Sequence, residues 1–164
     1  MTTRRIGFRD GSASEMRDDP LSIAWVYDLD ACRGATGVTR HALGQLRSLS
    51  RSKEIRFQAV TGRIGTSDGL IQWQELGELK RSELPLSTPN MLRLMRTFGI
   101  PHIEWWTGKV DWAYSPAEYN LATRAAKRAV TSHDILQDLR FGSPRRKEFL
   151  RLCFDQADLI VSVS

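Results

Sequence analysis

The chain is poor in cysteine, holding two in 164 residues. Cys32 and Cys153 stand far apart, match no metal-ligand spacing and cannot build a disulfide framework, which fits a reducing compartment. Both read as bystanders. No run of eighteen apolar residues occurs, which excludes a spanning helix from the prediction. The opening residues carry Arg4, Arg5 and Arg9 and lack the apolar stretch of a secretory signal. The expected location is cytoplasmic, with peripheral contact at the inner face of a membrane left open. Several motifs are also absent: the dinucleotide fingerprint GxGxxG, the phosphate loop GxxxxGK[ST], GxSxG, HExxH, DxDxDG and CxxC. Serine hydrolase, zincin, EF-hand and thiol-redox chemistry therefore have no support, and a generic dinucleotide binder has little. No internal repeat or low-complexity tract competes with a globular reading.

The hydrophobic fraction of 41% and the chain length suit one domain with a substantial core. The net charge of +5 is compatible with nucleic acid, an anionic membrane or no particular partner, so its distribution matters more than its sign. Between Arg140 and Arg151 lie Arg140, Arg145, Arg146, Lys147 and Arg151 against the single acid Glu148. That window is either a solvated helix face or a surface for anionic lipid or a phosphate-bearing substrate. No nucleic-acid partner is expected.

Residues 1–19 mix Gly, Ser, Thr, Asp and Arg with little apolar spacing and read as a mobile arm. From Leu21 to Tyr27 the chain is nearly continuously apolar, as in a strand covered on both faces. A turn-rich loop from Asp28 to Gly37 follows, and then Val38, Ala42, Leu46 and Leu49 recur at helical spacing. Ile55–Val60 reads as a second strand, and Leu70–Gln74 alternates weakly enough for an edge or hairpin strand. Pro89 opens a helix presenting Met91, Leu92, Met95 and Phe98, with Gly99 and Pro101 as stop signals. Val110–Tyr114 reads as a strand ended by Ser115-Pro116, residues 117–128 as a loop with possible helical turns, and Ala129–His133 as a strand. Ser143-Pro144 resembles a cap with proline in the first turn, leading a helix with Phe149, Leu152 and Cys153 inward. Leu159–Val163 is the last strand. Strands alternating with helices predict an α/β, Rossmann-like three-layer domain over residues 20–164, with a mostly parallel sheet.

The stretch Ala129-Val130-Thr131-Ser132-His133-Asp134 runs apolar and stops on two ionisable side chains. In open α/β sheets ligands bind at the carboxyl ends of strands, which makes His133 the first candidate for chemistry. Its imidazole could orient or polarise a substrate hydroxyl, carry a proton, or serve as a satisfied structural group. Asp134 could share that chemistry or cap the following turn. Gly34–Arg40 lies between first strand and first helix, where backbone N–H groups and the helix dipole favour a phosphate, although a plain tight turn fits equally well. Trp105, Trp106 and Trp112 could stack on sugars, anchor at a membrane interface or fill a core or subunit contact, the last being favoured.

Four ordered blocks resemble the N-terminal domain of family 4 glycosyltransferases, the retaining enzymes of GT-B fold. Gly37-Val38-Thr39-Arg40-His41 is similar to the family's G-I-G-R-Y turn, and Asp111-Trp112-Ala113-Tyr114-Ser115-Pro116 to its D-V-x-H-S-P strand end. Lys127-Arg128-Ala129-Val130-Thr131-Ser132-His133-Asp134-Ile135 resembles R-R-V-V-T-V-H-D-L, and residues 157–164 resemble A-D-x-I-x-x-x-S. The resemblance implies that Gly37, Val38, Arg40 and Ser115 belong to the substrate and donor-phosphate surface. It also implies that His133 contacts the transferred sugar, with Asp134 beside it as a catalytic candidate. The implied donor is a nucleotide-sugar, the acceptor a sugar or lipid, and no cofactor is expected. Thr39 replaces the second glycine of the turn, Tyr114 the family histidine, and His41 the usual aromatic. Members of the family continue into a second Rossmann-like domain carrying most nucleotide-sugar contacts. The expectation is therefore an acceptor-side half that is inactive alone, since one half cannot enclose donor and acceptor in a water-poor cleft. The competing expectation is a non-catalytic binding or interaction domain of the same ancestry.

Overall fold

Residues 19–32, 37–75, 77, 79–133 and 140–163 are described by a computed structural model of the chain. All but the last residue of the arm expected at 1–19, the loop residues 33–36 and Asp134 lie outside the described residues. Six strands, β1 (Leu21–Val26), β2 (Ile55–Thr61), β3 (Lys80–Glu83), β4 (Trp112–Ser115), β5 (Lys127–His133) and β6 (Leu159–Val163), form one sheet. Their order is β3-β2-β1-β4-β5-β6, and every neighbouring pair is parallel. The helices are α1 (Gly37–Leu49), α2 (Ser67–Glu75), α3 (Thr88–Phe98), α4 (Glu104–Thr107) and α5 (Pro144–Asp155), with a 3₁₀ turn at Leu29–Cys32. This is the Rossmann-like α/β architecture predicted from the alternation of strand and helix signals.

Successive residues of β1 feed two different cores, the direct result of the two-residue period of a strand. Ala24 and Val26 join Val60, Ala113, Ile103 and the α3 residues Met91 and Met95. Trp25, and Tyr27 just past the strand, join Phe57, Ala59, Tyr114, Ala129 and the α1 residues Ala42 and Leu46. Both faces of the central strand are thus buried, and Ala24, Trp25 and Val26 are at most 2% exposed. That explains why β1 reads as an unbroken apolar run rather than an alternating one.

The junction of β2 with α3 leaves no room for a side chain at Gly62, whose Cβ would lie 2.0 Å from the backbone nitrogen of Thr88. The Gly62 N–H donates to Thr88 Oγ1 at 2.9 Å. At its far end α3 stops on Gly99, in the left-handed conformation (φ 68°), with its N–H donating to Met95 O. A residue with a Cβ pays for that conformation, which is why the glycine works as a stop signal.

Three expectations are corrected. Leu70–Gln74 is the body of α2, not a strand: the Thr66 hydroxyl accepts the Gly69 N–H at 3.1 Å as a helix cap. Leu70 and Ile71 are adjacent and both about half exposed (49% and 51%), and the apolar residue of the segment that packs against a core is Trp73, so no two-residue alternation of burial runs along it. The edge strand is instead β3, whose Lys-Arg-Ser-Glu sequence has no apolar residue and so no periodicity to read. It is held by pairing along β2 and by the Gln58 amide donating to Ser82 Oγ at 2.8 Å. In α5 the buried residues are Leu150 and Cys153, while Phe149 and Leu152, expected inward, stand half-buried one stripe away. Trp106 and Trp112 pack against the cores as expected, but Trp105 is 62% exposed.

Candidate functional site at the carboxyl edge of the sheet

Chain order reverses direction between β1 and β4, because β1, β2 and β3 run outward one way and β4, β5 and β6 the other. Their carboxyl ends splay apart there, the place where open α/β sheets receive ligands. At β4, the fully buried Ser115 hydroxyl accepts the Ala117 N–H at 3.2 Å, turning the chain so that Glu118 and Tyr119 cross the end of the sheet. Tyr119 then stacks on Tyr27, the residue that follows β1, with ring centroids 6.3 Å apart. Ser115, named from the sequence as a substrate contact, sits beneath this turn as its internal brace.

His133 ends β5 on the neighbouring strand. Its backbone N–H donates to Glu118 Oε1 at 2.7 Å, and its ring Nε2 lies 2.8 Å from the Pro116 carbonyl oxygen. A carbonyl only accepts, so the hydrogen bond assigns the proton to Nε2 and leaves Nδ1 as the acceptor of the neutral ring. His41, one turn into α1, meets that ring edge-on at 5.4 Å and 83°. Its own Nε2 is buried without a hydrogen-bond partner among the described residues. Burial, aided by the neighbouring His133, pushes the His41 pKa below the usual histidine range and favours the neutral ring.

Glu118 is the hub that sequence inspection missed. One carboxylate oxygen holds the end of β5 through His133, while the other lies 3.5 Å from Arg146 Nη2 on the first turn of α5. Below it the Cys153 thiol is pushed up to about 12 by burial and by the Glu118 charge, against the opposing pull of Arg146 and Arg128. Nothing in the sequence marks Glu118 except its place three residues after Ser115. Asp28, at the end of β1, was missed as well. Burial raises its carboxyl, with the Asp30 charge adding to the effect, while the Asp30 N–H and the Thr88 hydroxyl oppose it.

The remaining candidates divide between surface and interior. Gly37 begins α1, is exposed, and has nothing within 4 Å of where a Cβ would stand, so the fold itself does not demand a glycine there. Val38 is half-buried, and Arg40 is exposed with no ion pair among the described residues. Thr39 is buried, its hydroxyl 3.3 Å from that of Tyr27. Tyr114 is likewise turned inward, its hydroxyl donating to Gln45 Oε1 at 2.5 Å and lying 2.7 Å from Thr131 Oγ1, and burial raises its pKa. The structure therefore brings together His133, His41, Pro116 and Glu118, with Arg40 and Gly37 on the same helix start as His41.

Among the described residues no group of three or more His, Cys, Asp or Glu side chains is arranged to hold a metal ion. None of their helices is long and apolar enough to cross a membrane. No protein-family model, curated protein or solved structure matches the chain.

Proposed function

We propose that this chain is the acceptor-side half of a retaining glycosyltransferase, which moves a sugar from a nucleotide-sugar to an acceptor hydroxyl. The observation that carries the reading is the meeting of the four resemblance blocks at one edge of the sheet. His41 of the first block faces His133 of the third at 5.4 Å, Pro116 of the second accepts from the His133 ring at 2.8 Å, and the fourth pairs with the third along β5 and β6. Segments so distant in the chain converge only if their carboxyl-edge ends share a task or a frame. On this reading His133 Nδ1 receives a hydrogen bond from a hydroxyl of the transferred sugar. Gly37 and Arg40, at the start of α1, face the donor phosphates, and Glu118 positions the histidine without touching substrate.

The competing reading, a binding domain without catalysis, is favoured by the inward turn of two side chains at the site. The hydroxyls of Thr39 and Tyr114, both departures from the family pattern, bond within the protein. One experiment separates the two. Co-expressed with a donor-binding domain of this family, the chain should turn over nucleotide-sugar, and His133→Ala should lower kcat by about a hundredfold or more. Undiminished turnover by that variant sinks the assignment of His133, and binding of nucleotide-sugar without turnover establishes the second reading.

A further inference from the structure

We propose that the open groove between α3 and α5 is a docking surface for an anionic lipid bilayer, whatever reaction the carboxyl edge performs. The groove encloses about 550 Å³ and is lined by Arg96, Pro144, Arg145, Glu148, Phe149 and Leu152. Its apolar wall is Phe149 with Leu152, the two side chains that sequence periodicity assigned to the core and that instead stand half-buried beside it. Two guanidinium groups flank the Phe149 ring, Arg96 at 6.0 Å and Arg146 at 5.5 Å from its centroid. One large ring stands out of the surface close to the groove in the chain: Phe141, three before Pro144, is 82% exposed.

Charge decides what covers this face. Arg146 is engaged by Glu118, and Arg151 lies near Glu148 and Asp155 at 3.8 and 3.9 Å. Arg96, Arg140, Arg145 and Lys147 have no ion pair among the described residues. Unpaired cations on long apolar stems, set around the Phe149 and Leu152 wall with the exposed Phe141 near by in the chain, match a surface that offers phosphates and hydrocarbon at adjacent depths. Water leaves the rings unburied, and a soluble phosphate has no use for them. An acidic segment of a protein is the competing occupant.

The test is sedimentation of the 164-residue chain at low ionic strength with vesicles of phosphatidylcholine alone and of equal parts phosphatidylcholine and phosphatidylglycerol. The chain should pellet with the mixed vesicles and not with the neutral ones. Arg96→Glu with Arg145→Glu should weaken that binding by at least about tenfold, and Phe141→Ser should weaken it by about tenfold, with circular dichroism unchanged because all three side chains are exposed. Failure to pellet with the mixed vesicles overturns the proposal, and so does pelleting that survives the double charge reversal. Binding to polyglutamate by a chain that ignores the vesicles overturns it in favour of an acidic protein.

Discussion

Single side chains at the carboxyl edge take their chemistry from what surrounds them. Cys153 is the clearest case, because burial and the neighbouring Glu118 carboxylate raise its thiol to about 12 and so remove the reactive thiolate at neutral pH. In a Cys32→Ser background the native chain should resist an aromatic disulfide reagent, while the same chain unfolded in guanidinium reacts at once. Prompt labelling of the native protein would show the thiol to be accessible. The bystander reading of Cys153 from spacing alone thus has a physical counterpart. His133 was legible because an apolar run ending on an imidazole is a local pattern. Glu118 and His41 were not, since one gains its meaning from Arg146 and the other from His133, partners 28 and 92 residues away.

At the level of elements, the well-read segments carry their signals locally. Ser143 caps α5 by accepting the Arg146 N–H at 3.2 Å, and Pro89 and Gly99 bracket α3 as their backbone preferences require. α2 was misread because its start is arranged by a residue far upstream. Asp30 accepts the Gly65 N–H at 2.8 Å, the Thr66 N–H at 3.2 Å and the Thr66 hydroxyl at 2.7 Å, holding Thr66 where it caps the helix. Asp30→Ala should therefore cost about 2 kcal/mol. The loss should fall on the Gly65 and Thr66 amides and the first turn of α2, where hydrogen exchange would speed up. A uniform loss of protection across the sheet would instead implicate the 3₁₀ turn that carries Asp30. β3 escaped notice for the complementary reason: a polar edge strand is held by the backbone of β2, not by any pattern of its own.

For the molecule as a whole, two carboxylates set opposing responses to acid. Burial works against the Glu104 charge, yet the N–H groups of Ala125, Ala126 and Arg124 outweigh it and hold its pKa below the usual range. The unfolded chain then binds the proton first, so Glu104 contributes stability above its ordinary pKa that is lost as pH falls through the lowered one. Asp28 has the opposite sign: its raised pKa means the folded state takes up the proton first, and stability rises as pH falls from that raised value toward the ordinary one. Denaturant unfolding across the acid range should show Glu104→Gln flattening the decline and Asp28→Asn steepening it. Identical slopes for both variants would refute these assignments. Glu104 matters globally because its three N–H donors shape the loop from β4 to β5, the segment whose composition fits helix and whose backbone is held open by one carboxylate.

Most of the elements, and where most of those begin and end, follow from the sequence, because apolar period, caps and stops act within a few residues; α2 and β3, held by distant partners, do not. The α/β class follows from their alternation. Tertiary structure alone decided the order of the strands, the reversal between β1 and β4, and hence which loops share the carboxyl edge. It also decided that His41, Pro116, Glu118 and His133 meet there, and that Phe149 and Leu152 face a groove. These are outcomes of long-range packing, in which each residue's surroundings are supplied by segments that its own neighbours in the chain do not encode.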